Sequence, residues 1–168
     1  KSILQVKSII KKYHIHPTVF VLSDSKRANR TELDNQELFL DTADIVALQK
    51  EGWNIGSHTA THANLTQIKN QDLHAEIHDS KRTLEKALKT TMDYIAYPKG
   101  LYNNAVVQKT KESGYTLGLT MNDGHIHAQS DPYTIPRIGI NTTHDFAEFT
   151  TLAFPLNSLV RKMIKKFI

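Results

Sequence analysis

The chain has 168 residues, no cysteine, a net charge of +4, and 39% hydrophobic against 23% charged residues, a balance that suits one globular domain with a real core. Absence of cysteine excludes disulfides, zinc–thiolate clusters and a thiol nucleophile. No apolar run approaches the roughly 20 residues of a bilayer span, the first residues lack a signal-peptide pattern, and the mild basicity comes without a phosphate loop, zinc-finger spacing or aromatic–basic interleaving, so a soluble domain with no nucleic-acid role is expected.

Residues 2 to about 13 predict a helix, with Ile3, Leu4, Val6, Ile9 and Ile10 on one side and lysines on the other. Pro17 helps to stop it, and Thr18–Leu22 reads as a fully buried strand. A polar loop from Ser23 to about Asp41 follows, in which Asp24 suits either a loop cap or a stand-in metal ligand. Asp41 and Thr42 cap a helix to Glu51 that Gly52 ends. After a short strand through Trp53 and Ile55, a long helix is predicted from about Asn70 to Leu88, with Leu73, Ile77, Leu84 and Leu88 spaced for burial.

Tyr94–Tyr97 predicts another strand, broken by Pro98-Lys99-Gly100. A helix from about Asn103 to Ser113 closes at Gly114, a strand follows over Tyr115–Thr120, and Asn122-Asp123-Gly124 signals a turn. Tyr133–Ile140 alternates like a strand, with Arg137 on the face of Ile135 and Gly139. Phe146–Leu152 reads as a helix. Ser158 caps a last one, whose apolar stripe of Leu159, Val160, Met163, Ile164 and Phe167 opposes Arg161, Lys162, Lys165 and Lys166. That pattern fits packing against the domain or peripheral contact with a membrane surface. The strand–helix alternation predicts an α/β fold with a parallel sheet, closed or nearly closed into a barrel, and helices outside.

The stretch that carries chemistry is Trp53-Asn54-Ile55-Gly56-Ser57-His58-Thr59-Ala60-Thr61-His62. If Ser57 or Thr59 caps a turn of helix, His58 and His62 share a face and both imidazoles can meet one ion. A position after a strand is where α/β folds build active sites, while a pair of ordinary surface histidines is the bland alternative. His14, His16, His74 and His78 sit on or beside helix surfaces and receive no role.

Three stretches, 51–65, 94–103 and 133–140, together resemble the polysaccharide deacetylases, carbohydrate esterase family 4 or the NodB-homology domain, in their bacterial exopolysaccharide branch. His58-Thr59-Ala60-Thr61-His62 is similar to that family's second motif, and Tyr97-Pro98-Lys99-Gly100 to its third. The resemblance implies a deformed (β/α)7-type barrel, here a single domain with its first strand missing. It implies hydrolysis of N-acetyl or O-acetyl groups on a polysaccharide outside the cytoplasm, in the cell envelope. It also implies a divalent metal, zinc first, with His58 and His62 as ligands, the Lys99 N–H as oxyanion donor, and Pro98, Gly100 and Tyr102 at the substrate. The family's first motif, whose two aspartates are the base and third metal ligand, is absent, so the chain is expected to start just after it. Lys99 stands where the family has an aromatic. The arginine that holds the base in the chitin-type enzymes is also missing, and Arg137 could replace it from a different strand or form a buried salt bridge. The general acid has only His125, His127 and His144 as candidates. A non-catalytic, glycan-binding or scaffolding member of the fold is the alternative, and another metal-dependent amidase a third reading.

Overall fold

The computed structural model describes residues 2–28, 39–141 and 143–153. The expected C-terminal helix from Ser158, and with it the surface-docking question, lies outside the described residues, as does much of the loop between Ser23 and Asp41.

A 3-10 turn over Ser2–Val6 leads into helix α1, Lys7–Lys12, and then strand β1, Thr18–Val21. Helix α2 spans Thr42–Lys50 and strand β2 spans Asn54–Ser57. The long predicted helix is present but built in three pieces: α3 (Asn70–His74), a π turn (Ala75–Asp79) and α4 (Ser80–Leu88). Strand β3 (Tyr94–Ala96), helix α5 (Asn104–Glu112), strand β4 (Leu117–Leu119) and helix α6 (Phe146–Ala153) complete the order.

Local chemistry explains the boundaries. Asp41 and Asp44 close a reciprocal capping box on α2, the Asn103 side chain accepts from Val106 N–H at the start of α5, and Lys89 ends α4 in the left-handed region. Two sequence expectations are corrected. Tyr133–Ile140 is not a strand: only Ile135 bridges, in parallel, to Leu119, because Pro132 and Pro136 on either side of it cannot donate to a ladder. In the first helix, Ile3 and Ile10 pack on the core, whereas Val6 and Ile9 lie exposed, since the 3-10 start shifts the angular spacing away from 3.6 residues per turn.

The four strands form one parallel sheet in the order β1-β2-β3-β4, with Val19 opposite Ile55, Ser57 opposite Ile95, and Ile95 opposite Gly118. Val19, Val21, Ile55 and Ile95 are buried together with Ile45 and Leu48 of α2, Leu73 of α3, Ile77 in the π turn, and Leu84 and Leu88 of α4. Each fully buried aliphatic side chain, Leu48 and Ile77 among them, contributes about 1.5–3 kcal/mol. Gly56 has a packing reason: a Cβ there would lie 2.5 Å from the Phe20 ring, so its absence lets Phe20 lie across β2. Because all four strands run the same way in chain order, their C-terminal ends, Val21, Ser57, Ala96 and Leu119, make one edge. The loops after them hold Asp24, His58, Lys99 and Asn122.

Candidate metal centre

His58 follows the last residue of β2, and its N–H donates to Val21 O at 2.8 Å, so the ring leaves the sheet at a defined point. Its Nδ1 lies 2.7 Å from Ala96 O. A carbonyl oxygen only accepts, so Nδ1 carries the proton and Nε2 keeps the lone pair that a metal requires. The His62 ring meets the His58 ring edge-on, with centroids 4.9 Å apart and planes at 75°. The two rings are neighbours, but the expected helix is not there: residues 58–64 form an irregular loop.

What brings the rings together is a pair of reversals. Thr59 has φ +74° and His62 φ +63°, left-handed conformations that cost a non-glycine residue about 1–3 kcal/mol each and persist only when surroundings enforce them. Those surroundings are visible. Thr59 is fully buried, its N–H donates to Ser57 Oγ at 3.2 Å, and its Oγ1 accepts from His62 N–H at 3.3 Å. Ser23 and Asp24 N–H groups donate to the carbonyls of Thr59 and Ala60. From below, the buried Glu76 carboxylate accepts the Ala60 and Thr61 N–H groups, both at 3.0 Å, and the Thr61 hydroxyl at 2.6 Å.

Sequence reasoning missed Glu76 and the Ala96 carbonyl. Glu76 was findable: three residues after Leu73 and one before Ile77, it is a carboxylate on the inward stripe of a helix, where acidic groups occur only when paired. Ala96 was not, because a backbone carbonyl has no sequence signature.

Around this pair, Pro98–Gly100 makes a 3-10 turn in which Lys99 takes φ +55°. The Lys99 side chain is exposed, and its N–H has no acceptor among the described residues. Pro98 and Gly100 are buried, and a Cβ on Gly100 would lie 2.5 Å from Met121 N. The half-buried Tyr102 ring stacks on Tyr97 at 5.7 Å, and its hydroxyl accepts from Asn122 Nδ2 at 3.1 Å. The Tyr97 hydroxyl donates to Tyr133 O at 2.9 Å, and burial pushes its pKa up to about 12.

Arg137 is half-buried, its Nε donating to Thr120 O at 2.7 Å and its guanidinium 5.9 Å from the Phe20 ring centroid. Burial lowers its pKa, and it makes no ion pair among the described residues. Asp24 caps the 3-10 turn Ser25–Arg27, and the Arg27 guanidinium on its side chain at 2.6 Å holds the carboxyl below its usual range. That is the loop-capping role. Of the acid candidates, His144 Nδ1 caps its own turn by accepting from Asn141 N–H, His127 is exposed, and the His125 Nε2 is buried without a hydrogen-bond partner among the described residues.

Two imidazoles, one with its Nδ1 proton held by a carbonyl, are a donor set that suits zinc and similar cations. Among the described residues no third histidine or carboxylate completes a three-ligand group with them.

Residues 3–118 match the family model described as polysaccharide deacetylase. The poly-β-1,6-N-acetyl-D-glucosamine N-deacetylase of Staphylococcus epidermidis is 27% identical over 142 residues, covering 77% of this chain and 47% of that protein. The Bacillus subtilis protein YxkH is 25% identical over 135 residues, covering 79% and 45%. The chain thus spans about half the length of the curated relatives it matches. Among solved structures, the Streptococcus pyogenes deacetylase PplD in complex with acetate aligns with a TM-score of 0.75 at 27% identity, over 89% of this chain and 64% of that one. The likeness makes the four-stranded sheet part of the barrel of that fold.

Proposed function

The chain belongs to the polysaccharide deacetylase family, and on that footing we propose that it forms the metal-holding part of an enzyme that hydrolyses N-acetyl or O-acetyl groups on a polysaccharide. The polymer named for the staphylococcal relative, poly-β-1,6-N-acetyl-D-glucosamine, is the first substrate to test. The observation that carries the reading is the meeting of His58 and His62 at 4.9 Å, with the His58 lone pair directed to Nε2 by Ala96.

When bound there, a divalent cation of the zinc class would supply Lewis acidity toward an acyl oxygen and a water molecule. His58 and His62 would hold it, and Glu76 keeps the loop between them in shape. The Lys99 N–H is the donor toward the oxyanion that develops as the acyl carbon becomes tetrahedral. Arg137, half-buried and without an anionic partner among the described residues, orients the carboxylate that takes the proton from water. That base and the third ligand come from outside the described residues. Pro98, Gly100 and Tyr102 form the sugar side. Action on a surface polysaccharide goes with a place outside the cytoplasm.

The test is acetate release from that polymer by the protein carrying this chain, with and without zinc, and by His58→Ala and His62→Ala. Release should depend on metal and fall in either variant by more than the roughly 10–100-fold that losing an outer-shell partner costs. For residues 1–168 alone, little turnover is expected. Release that survives both substitutions refutes the reading, and polymer retention without any release would instead make this a glycan-binding member of the fold.

A further inference from the structure

The π turn between α3 and α4 has a consequence on its outer side. In a regular α-helix the residue five positions on sits about 140° around the axis. A π turn closes i→i+5 hydrogen bonds instead, so it widens the turn and carries the fifth residue back toward the side of the first. Here that brings Asp79 under His74, next to His78. His74 Nε2 lies 3.5 Å and His78 Nδ1 3.1 Å from the same Asp79 oxygen, the two rings stack at 4.4 Å and 22°, and one ligand atom from each residue falls within 4.8 Å of the others. A tetrahedral cation with arms of 2.0–2.1 Å needs ligand separations of about 3.3–3.4 Å.

We propose that His74, His78 and Asp79 form a second divalent-cation site, of the zinc or copper(II) class, distinct from the His58–His62 pair. Two imidazoles and a carboxylate satisfy the ligand chemistry of those ions and leave positions open to water. His74 and Asp79 are exposed and His78 half-buried, so a cation reaches the site from solvent. Glu112 on α5 interacts electrostatically with His74, adding negative field. The same turn sends Glu76 inward to the His58–His62 loop, so a cation on its outside braces the segment that holds that loop.

The experiment titrates Zn²⁺ against a chromophoric competitor. The His58→Ala/His62→Ala variant should still bind one Zn²⁺, and adding His74→Ala or His78→Ala should weaken it at least about tenfold. Asp79→Asn should weaken it severalfold, whereas Asp72→Asn, exposed on the same helix, should not. Zn²⁺ should raise the Tm of the His58→Ala/His62→Ala variant and leave unchanged that of the variant also carrying His74→Ala, a readout independent of activity. Affinity unmoved by His74→Ala, or no Zn²⁺ bound once His58 and His62 are gone, would overturn the proposal. Failure of the deacetylase reading shows separately, as acetate release indifferent to His58.

Discussion

Removing the Glu76 carboxylate should loosen the metal centre without touching a ligand. Its two oxygens accept three hydrogen bonds from the Ala60 and Thr61 backbone and the Thr61 hydroxyl, and hydrogen bonds to a charged group contribute about 1.5–3 kcal/mol each. Such terms are not additive, because once the loop relaxes it recovers some partners from water. Glu76→Ala is therefore expected to cost about 3–5 kcal/mol of folding stability, the range for breaking a buried charged network. Glu76→Gln keeps an acceptor for the two N–H groups and can turn its amide to the Thr61 oxygen, so about 1–2 kcal/mol is expected. The more telling number is Zn²⁺ affinity at His58 and His62, measured in a His74→Ala background so that only this site is counted. Thr59 and His62 hold left-handed backbones that nothing intrinsic favours, so affinity should fall about 10–100-fold in Glu76→Ala and less in Glu76→Gln. Urea unfolding gives the stability and competition titration the affinity. A folded Glu76→Ala protein that binds Zn²⁺ as tightly as its parent would refute the argument that this carboxylate shapes the loop.

Two further outcomes follow from packing and burial. Gly56→Ala sets a methyl 2.5 Å from the Phe20 ring, so it should cost about 1–3 kcal/mol by overpacking and shift Phe20 from beneath Arg137; an unchanged urea midpoint would contradict this. At high pH, unfolded tyrosine loses its proton near 10, whereas Tyr97 in the folded chain holds on until about 12. Over that window the unfolded state binds fewer protons, so stability should be intact below pH 10 and fall progressively toward pH 12, with Tyr115, also pushed up by burial, adding to the slope. Tyr97→Phe should flatten that slope, and urea midpoints that stay level across the window would disprove it.

Much of the fold was legible because its signals are local. Thr18–Val21 is a run of β-branched and aromatic residues, Asp41 and Asp44 spell a cap, Asn103 spells another, and the Leu73–Leu88 stripe repeats at helical spacing. The histidine pair was legible too, as a spacing. Its mechanism was not: periodicity suggested a helical turn, and the structure brings the two rings beside each other through Thr59 and His62 in left-handed backbones that depend on Glu76, sixteen residues beyond Ala60. The Ile135 segment failed similarly, since alternation cannot say whether a neighbouring strand offers a full ladder.

The order of side chains along this chain by itself determined a parallel α/β sheet and two imidazoles at the end of its second strand. It could do so because burial periodicity and capping are decided within a few residues. Only the tertiary structure decided that Ala96 O chooses the His58 tautomer, that Glu76 clamps the loop between the histidines, and that a π turn sets Asp79 beside His74 and His78. Each of these needs backbone groups or helix winding set by the packed core, and neither is written in the identity of the residues they position.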